Sequence, residues 1–165
     1  MEAIWQLFYR SHPPRSPIFF LARSPRSALS QSPNSNTVTR DIRIEAAAEL
    51  LPKESEPDRG RYFYRYRVRI TNEGATAARL ISRRWLILDA NNQSEEVQGD
   101  GVVGKQPNLA PGEMFEYESY CPLRTEWGTM EGAYSFLADD ATQFDAKIGR
   151  FFLVPTAIGE GDTEG

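Results

Sequence analysis

Residues 61–71 read Arg61-Tyr62-Phe63-Tyr64-Arg65-Tyr66-Arg67-Val68-Arg69-Ile70-Thr71, a strict alternation of two kinds of side chain. Tyr62, Tyr64, Tyr66, Val68 and Ile70 fall on one side, and Phe63, Arg65, Arg67, Arg69 and Thr71 on the other. Successive side chains of a β-strand point to opposite faces, so this segment has one apolar and one cationic face. That is the pattern of an antiparallel strand with one face on a core and one in water. Asn72-Glu73-Gly74 supplies turn chemistry directly after it.

Working outward, runs of the same kind occupy residues 42–50, 79–89, 95–98, 113–120, 128–138 and 142–154. Turn signals separate them, among them Asp89-Ala90-Asn91-Asn92, Ala110-Pro111-Gly112 and Asp139-Asp140. Ala46-Ala47-Ala48-Glu49-Leu50-Leu51 has helix propensity, but Pro52 stops it and Ile42 and Ile44 favour a strand. About seven short strands with frequent turns predict an all-β, antiparallel sandwich of the immunoglobulin or fibronectin type III kind.

The chain changes character near Asn36. Before it come Pro13, Pro14, Pro17, Pro25 and Pro33, with Arg10, Arg15, Arg23 and Arg26 opposed by Glu2 alone. Proline at that density breaks helix and sheet, so residues 1–35 are expected to be a disordered Pro/Ser/Arg-rich extension. Ile18-Phe19-Phe20-Leu21-Ala22 is too short for a secretory signal, whereas the Arg- and Ser-rich, acid-poor composition suits an organellar transit peptide. The plainer readings are a non-functional extension or an upstream start codon. The domain itself is expected over residues 36–158, with 159–165 as a flexible tail.

Composition narrows the chemistry. The 165 residues are 40% hydrophobic and 25% charged, and the net charge of −4 disfavours a generic nucleic-acid binder. Cys121 is the single cysteine, so an intramolecular disulfide and a Cys-based zinc site are excluded, and a reducing, cytoplasmic compartment is expected. His12 is the single histidine and lies in the extension, which removes Ser-His and Cys-His catalysis. No run of about 18 apolar residues marks a membrane span.

Several segments in this frame resemble the ApaG domain family. They are Leu80-Ile81-Ser82-Arg83-Arg84-Trp85 with Asp89-Ala90-Asn91, then Glu96-Val97-Gln98-Gly99-Asp100-Gly101-Val102-Val103-Gly104-Lys105-Gln106-Pro107. Leu109-Ala110-Pro111-Gly112-Glu113-Met114-Phe115-Glu116-Tyr117 and Gly128-Thr129-Met130-Glu131-Gly132-Ala133-Tyr134 continue the match, which spans about residues 36 to 156. The resemblance implies a fibronectin type III-like fold and, in bacteria, a connection with cobalt and magnesium tolerance or efflux without an established activity. Similar domains in F-box proteins and a polymerase-delta-interacting protein imply protein binding. The family often carries His where this chain has Arg84, so a metal or proton role for that His does not transfer.

Gly99, Gly101 and Gly104 form a G-x-G-x-x-G spacing, which in dinucleotide-binding folds opens a helix on a pyrophosphate. Here Pro107 pushes Gln106 away from helical geometry, so that context is absent. A small anion-binding nest of amides with Lys105 is one reading, and glycines serving positive φ in a tight turn is the other. Arg65, Arg67, Arg69, Arg83 and Arg84 would form a surface for carboxylates or phosphates if their strands were neighbours; the plainer reading is a solvated face balanced by Glu116 and Glu118. Acidic turns at Glu95, Glu96 and Asp100 and at Asp139, Asp140 and Asp145 offer oxygen ligands without imidazole, so no metal site is assigned. Trp85 is expected in the core, and Trp127, in a loop, as an exposed contact.

The expectation is a non-catalytic binding domain needing no cofactor, mediating protein–protein interaction, with Arg65, Arg67, Arg83, Arg84 and Trp127 as its surface. The alternative is a small-ligand module for phosphate, nucleotide or a divalent cation at Gly99, Gly101, Gly104 and Lys105. Neither nucleic acid nor membrane is expected as a partner, a phosphate-containing metabolite is the second candidate, and a homodimer by sheet extension is a geometric option.

Overall fold

The strand that opens the chain's pattern lies at the heart of the molecule. In the computed structural model, which describes residues 35–155, Tyr62–Asn72 forms β3, with Tyr64, Val68 and Ile70 fully buried. β2 (Ile42–Leu50) and β7 (Met114–Leu123) flank it antiparallel, and β1 (Ser35–Thr39) completes a four-stranded sheet in the order β1-β2-β3-β7. The second sheet has the order β5-β4-β8-β9 and is built from β4 (Ala78–Asp89), β5 (Ser94–Asp100), β8 (Gly128–Ala138) and β9 (Gln143–Leu153). The two-residue β6 (Asn108–Leu109) adds to β4. A 3-10 turn at Pro57–Arg59 links β2 to β3. The seven expected strands are all present, and the fold is the predicted antiparallel sandwich.

β1 and β6 are additional. β1 has little apolar patterning, and tertiary contacts hold it: the Thr37 hydroxyl donates to the Lys147 carbonyl at 2.5 Å, and Ser35 is buried. β1 starts at Ser35, the first of the described residues. The Pro/Ser/Arg-rich stretch expected to be disordered, apart from Ser35, and the expected tail at 159–165 lie outside the described residues.

The core fills the space between the sheets. Trp85 is 2% exposed and packs edge-on against Tyr66, Tyr134 and Phe151, with ring centroids 5.5, 6.0 and 5.9 Å away. Edge-to-face aromatic pairs add about 0.5–1.5 kcal/mol each beyond area burial. β8 approaches β4 closely here, because a Cβ on Gly132 would lie 2.0 Å from the Arg84 carbonyl oxygen.

A bulge in β4 decides what faces this core. The β4–β8 register shifts between Leu80 and Ser82. An extra residue reverses the phase of everything after it. Ala78 and Leu80 point inward before the shift; Arg83, Trp85 and Ile87 point inward after it, and Arg84, Leu86 and Leu88 point out.

Candidate interaction surface

The condition for one arginine cluster, neighbouring strands in one sheet, is not met. Arg65, Arg67 and Arg69 lie on β3 in the first sheet, whereas Arg83 and Arg84 lie on β4 in the second. The β3 arginines are absorbed by cross-strand acids. Arg65 bonds Glu49, Arg67 Nε donates to Glu118 at 2.9 Å, and Arg69 Nε donates to Glu116 at 3.0 Å. Arg43 closes the ladder on Glu73 at 2.6 Å. Pairs this exposed contribute roughly 0.2–1 kcal/mol apiece, and their effect is a neutral, self-satisfied face.

The glycine segment is divided between a strand and a tight turn. Gly99 belongs to β5 opposite Arg83. Val102 and Lys105 exchange both backbone hydrogen bonds, at 2.8 and 2.9 Å, around Val103 (φ 44°) and Gly104 (φ 76°). Two positive φ values in a two-residue loop are the geometry of a type I′ turn. The Gly101 amide donates to Ile81 O at 2.8 Å, so the amides of Gly101, Val102 and Lys105 are spent on carbonyls instead of converging on an anion. Gly101 itself sits at φ 56°, where a Cβ would lie 2.1 Å from the Lys105 carbonyl oxygen.

Arg83 ties this segment to the core. Its Nη1 donates to the carbonyls of Asp100 and Gly101 at 3.0 and 2.8 Å, and its guanidinium lies against Gly99, where a Cβ would be 3.0 Å away. Beyond it lies a buried group of tyrosines that sequence reasoning missed as a unit. The hydroxyls of Tyr117 and Tyr134 bond each other, and burial raises both phenols well above their usual range. Burial also pushes Tyr66 up to about 12, against the opposing hydrogen bond with Ser119. The visible signal was the presence of tyrosines at inward positions of the strand pattern, where a plain hydrocarbon would serve for packing alone. Cys121 is fully buried, and burial raises its thiol far out of the reactive range. Among the described residues no three His, Cys, Asp or Glu side chains converge as metal ligands, and no helix is long and apolar enough to cross a membrane.

The outer face of the second sheet has a different character. Leu88, Thr129 and Phe152 form one cross-strand row, and Leu86 stands two residues along β4 on the same side. Leu86 is 38% exposed and Phe152 51%. Trp127 immediately precedes β8 and Val154 immediately follows β9, where Gly128 pairs with Leu153; Trp127 is 46% exposed. Apolar side chains thus continue from Leu86 across Phe152 to Trp127. Leu86 and Phe152 belong to Trp85-Leu86-Ile87-Leu88 and Phe151-Phe152-Leu153-Val154, whose unbroken apolarity signals a strand with both faces apolar. Further up the same face, Arg84 borders a depression of about 560 Å³ that also touches Ser82, Gln98, Asp100, Ser135 and Asp145. Of the residues expected to form an interaction surface, Arg84 and Trp127 lie on this face, the half-buried Arg83 lines the same depression together with Gly99, and Arg65 and Arg67 belong to the other sheet.

The domain's relatives agree with this architecture. The ApaG domain family model matches residues 52–138. A Protein ApaG from Anaeromyxobacter dehalogenans is 51% identical over 120 residues, covering 73% of this chain and 94% of that protein. One from Bdellovibrio bacteriovorus is 46% identical over 119 residues, covering 72% and 94%. A crystal structure of a Bordetella pertussis protein superposes with a TM-score of 0.70 at 43% identity, covering 71% of this chain and 95% of that one. With the sandwich in place and the family's segments running in order along its strands, the chain belongs to the ApaG domain family.

Proposed function

We propose that this protein is a non-catalytic, cytoplasmic binding domain that docks another protein on the outer face of its second sheet. The observation that carries this reading is the continuous apolar patch of Leu86, Leu88, Phe152 and Trp127 on a face that a solvated sheet would fill with polar side chains. Large aromatic side chains at such a patch supply contact area at low entropic cost, which is why binding hot spots are rich in them. The first sheet offers a contrast, since its outer charges are already satisfied internally. A connection with cobalt and magnesium tolerance then runs through the partner, with the domain contributing recognition.

The test is quantitative capture from a cell extract with the wild-type protein and a Trp127→Ser/Phe152→Ser variant. A specific protein retained by the first and lost by the second should bind the purified wild-type domain directly, with at least about tenfold weaker binding to the variant, equivalent to 1.4 kcal/mol. Thermal unfolding checks that the variant is folded. Equal capture by both proteins would remove this face from the reading.

A further inference from the structure

Each sheet of the sandwich has two edge strands, and an edge carries backbone amides and carbonyls that no neighbouring strand answers. β1 and β9 answer each other: the Thr37 hydroxyl donates to the Lys147 carbonyl at 2.5 Å, and the Lys147 amide donates to Thr39 Oγ1 at 3.2 Å. β5 is blunted by charge. Its Glu95 stands opposite the buried Ile87, on the core side of that edge, where an added strand would have to bury the acid. β7 has neither device, and among the described residues it pairs with β3 alone.

Register fixes which backbone groups of β7 face outward. The Leu51 amide donates to the Phe63 carbonyl at 2.8 Å, one step beyond the pairing of Leu50 with Tyr64. Odd-numbered residues of β3 therefore bond to β2 and even-numbered ones to β7, and the Asn72 amide, donating to Glu113 O at 2.9 Å, agrees. The β7 partners of those even residues include Phe115, Tyr117, Ser119 and Cys121. The amides and carbonyls of Met114, Glu116, Glu118 and Tyr120 are left pointing to the open side. Pro122 continues that outward set, the place in a strand where a missing N–H breaks no ladder bond. Met114, Glu116, Glu118 and Tyr120 are also the exposed side chains of β7, while Tyr117 and Cys121 are buried.

Side chains narrow what can join this edge. The outer face of the sheet runs acid, base, acid: Glu45 and Glu49 on β2, Arg65, Arg67 and Arg69 on β3, Glu116 and Glu118 on β7. Arg69 and Arg67 already hold both β7 acids, so charge selects an incoming strand while the open backbone groups attract it. A second copy of the chain added antiparallel to β7 sets two carboxylates directly opposite in each register centred on Glu116, Tyr117 or Glu118, and like charges so placed are destabilising. A basic residue opposite either acid continues the alternation instead.

We propose that the free edge of β7 is a second docking site, which takes an extended protein segment as an added antiparallel strand, with Lys or Arg opposite Glu116 and Glu118 and apolar residues between them. Main-chain hydrogen bonds to Glu116, Glu118 and their outward neighbours supply the attachment, and alternate side chains supply the choice of segment. The apolar residues fall on the core side, beside Phe115 and Tyr117, whose ring centroids lie 6.3 Å apart at this margin. The site belongs to the first sheet and is independent of docking on the second.

The test combines amide exchange and 15N NMR on the full chain. In the free protein the amides of Glu116, Glu118 and Tyr120 should exchange fast, and those of Tyr117, Ser119 and Cys121 slowly. Acetyl-Arg-Tyr-Arg-Val-Arg-Ile-amide, a copy of residues 65–70, should give saturable shifts along β7 below about 1 mM and slow the exchange of the first set. Its counterpart N-methylated at the arginines cannot donate to the edge and should not bind. The Gln-for-Arg counterpart should bind at least about threefold more weakly, because two cross-strand charge pairs are lost. Binding of the N-methylated peptide, equal binding of the glutamine peptide, slow exchange at Glu116 and Glu118 in the free protein, shifts confined to other strands, or unmoved spectra would each overturn the proposal. So would shifts along β7 on raising the protein concentration alone, which would place a second copy there. None of these outcomes touches Trp127 or Phe152, so capture through the second sheet stands or falls separately.

Discussion

Replacing Arg83 by methionine should destabilise the domain and loosen the glycine turn, at a magnitude set by two hydrogen bonds. The guanidinium holds Asp100 O and Gly101 O at 3.0 and 2.8 Å. Hydrogen bonds to charged groups contribute about 1.5–3 kcal/mol each, and Arg83 is only half-buried, so the lower end applies and the total is roughly 2–3 kcal/mol. Methionine keeps much of the aliphatic stem, so lost packing adds little. For an ordered region of about 120 residues, each kcal/mol lowers Tm by about 4 °C, which gives a drop of roughly 8–12 °C. Urea unfolding and calorimetry measure the global loss, and amide exchange at Val102 and Lys105 should accelerate more than exchange in β3. Gly99→Ala sharpens the assay, because its Cβ would lie 3.0–3.2 Å from the guanidinium and should cost less once Arg83 is gone. A stability loss below about 0.5 kcal/mol, with unchanged exchange at the turn, would refute the role given to Arg83.

Two further outcomes follow from the packing. Gly132→Ala puts a methyl 2.0 Å from the Arg84 carbonyl oxygen in the centre of the second sheet; because the neighbour is backbone, the expected loss is above about 3 kcal/mol, read by urea unfolding, or failure to fold. Tyr64 and Tyr66 have phenols pushed up to about 12, chiefly by burial. The folded state therefore holds these protons more tightly than the unfolded chain, whose tyrosines titrate near 10. Their stabilising contribution is complete below pH 10 and is lost as pH rises through about 12, so denaturant midpoints should fall across that window while phenolate absorbance appears together with unfolding.

Why Arg84 and Arg83 part company shows how far local pattern reaches. The two residues are adjacent on β4, and either could face the core if alternation were the only rule. The bulge at Leu80/Ser82 settles it by adding one residue, which sends Arg83 in to the tyrosines and leaves Arg84 outside. No turn residue or proline marks that bulge in the chain, because it answers a pairing problem with β8. The arginines of β3 had the opposite history: their outward face was legible from period two, as were Glu116 and Glu118 as their partners. The glycine spacing was legible as turn chemistry too, but which amides remained available depended on Ile81 and Lys105 lying opposite.

Period-two alternation, turn residues and family-like segments were thus enough to establish the antiparallel sandwich, the burial of Trp85 and the exposure of Trp127, because each depends on a residue and its near neighbours. Strand order is a property of pairs far apart in the chain, and it placed β3 and β4 in different sheets, so that their arginines do not form one cluster. The exposed apolar face arose in the same way. Leu86, Trp127 and Phe152 are distant in sequence, and cross-strand register, set by backbone hydrogen bonding and by the register shifts at Leu80/Ser82 and Met130/Gly132, brings them onto one surface beside Arg84.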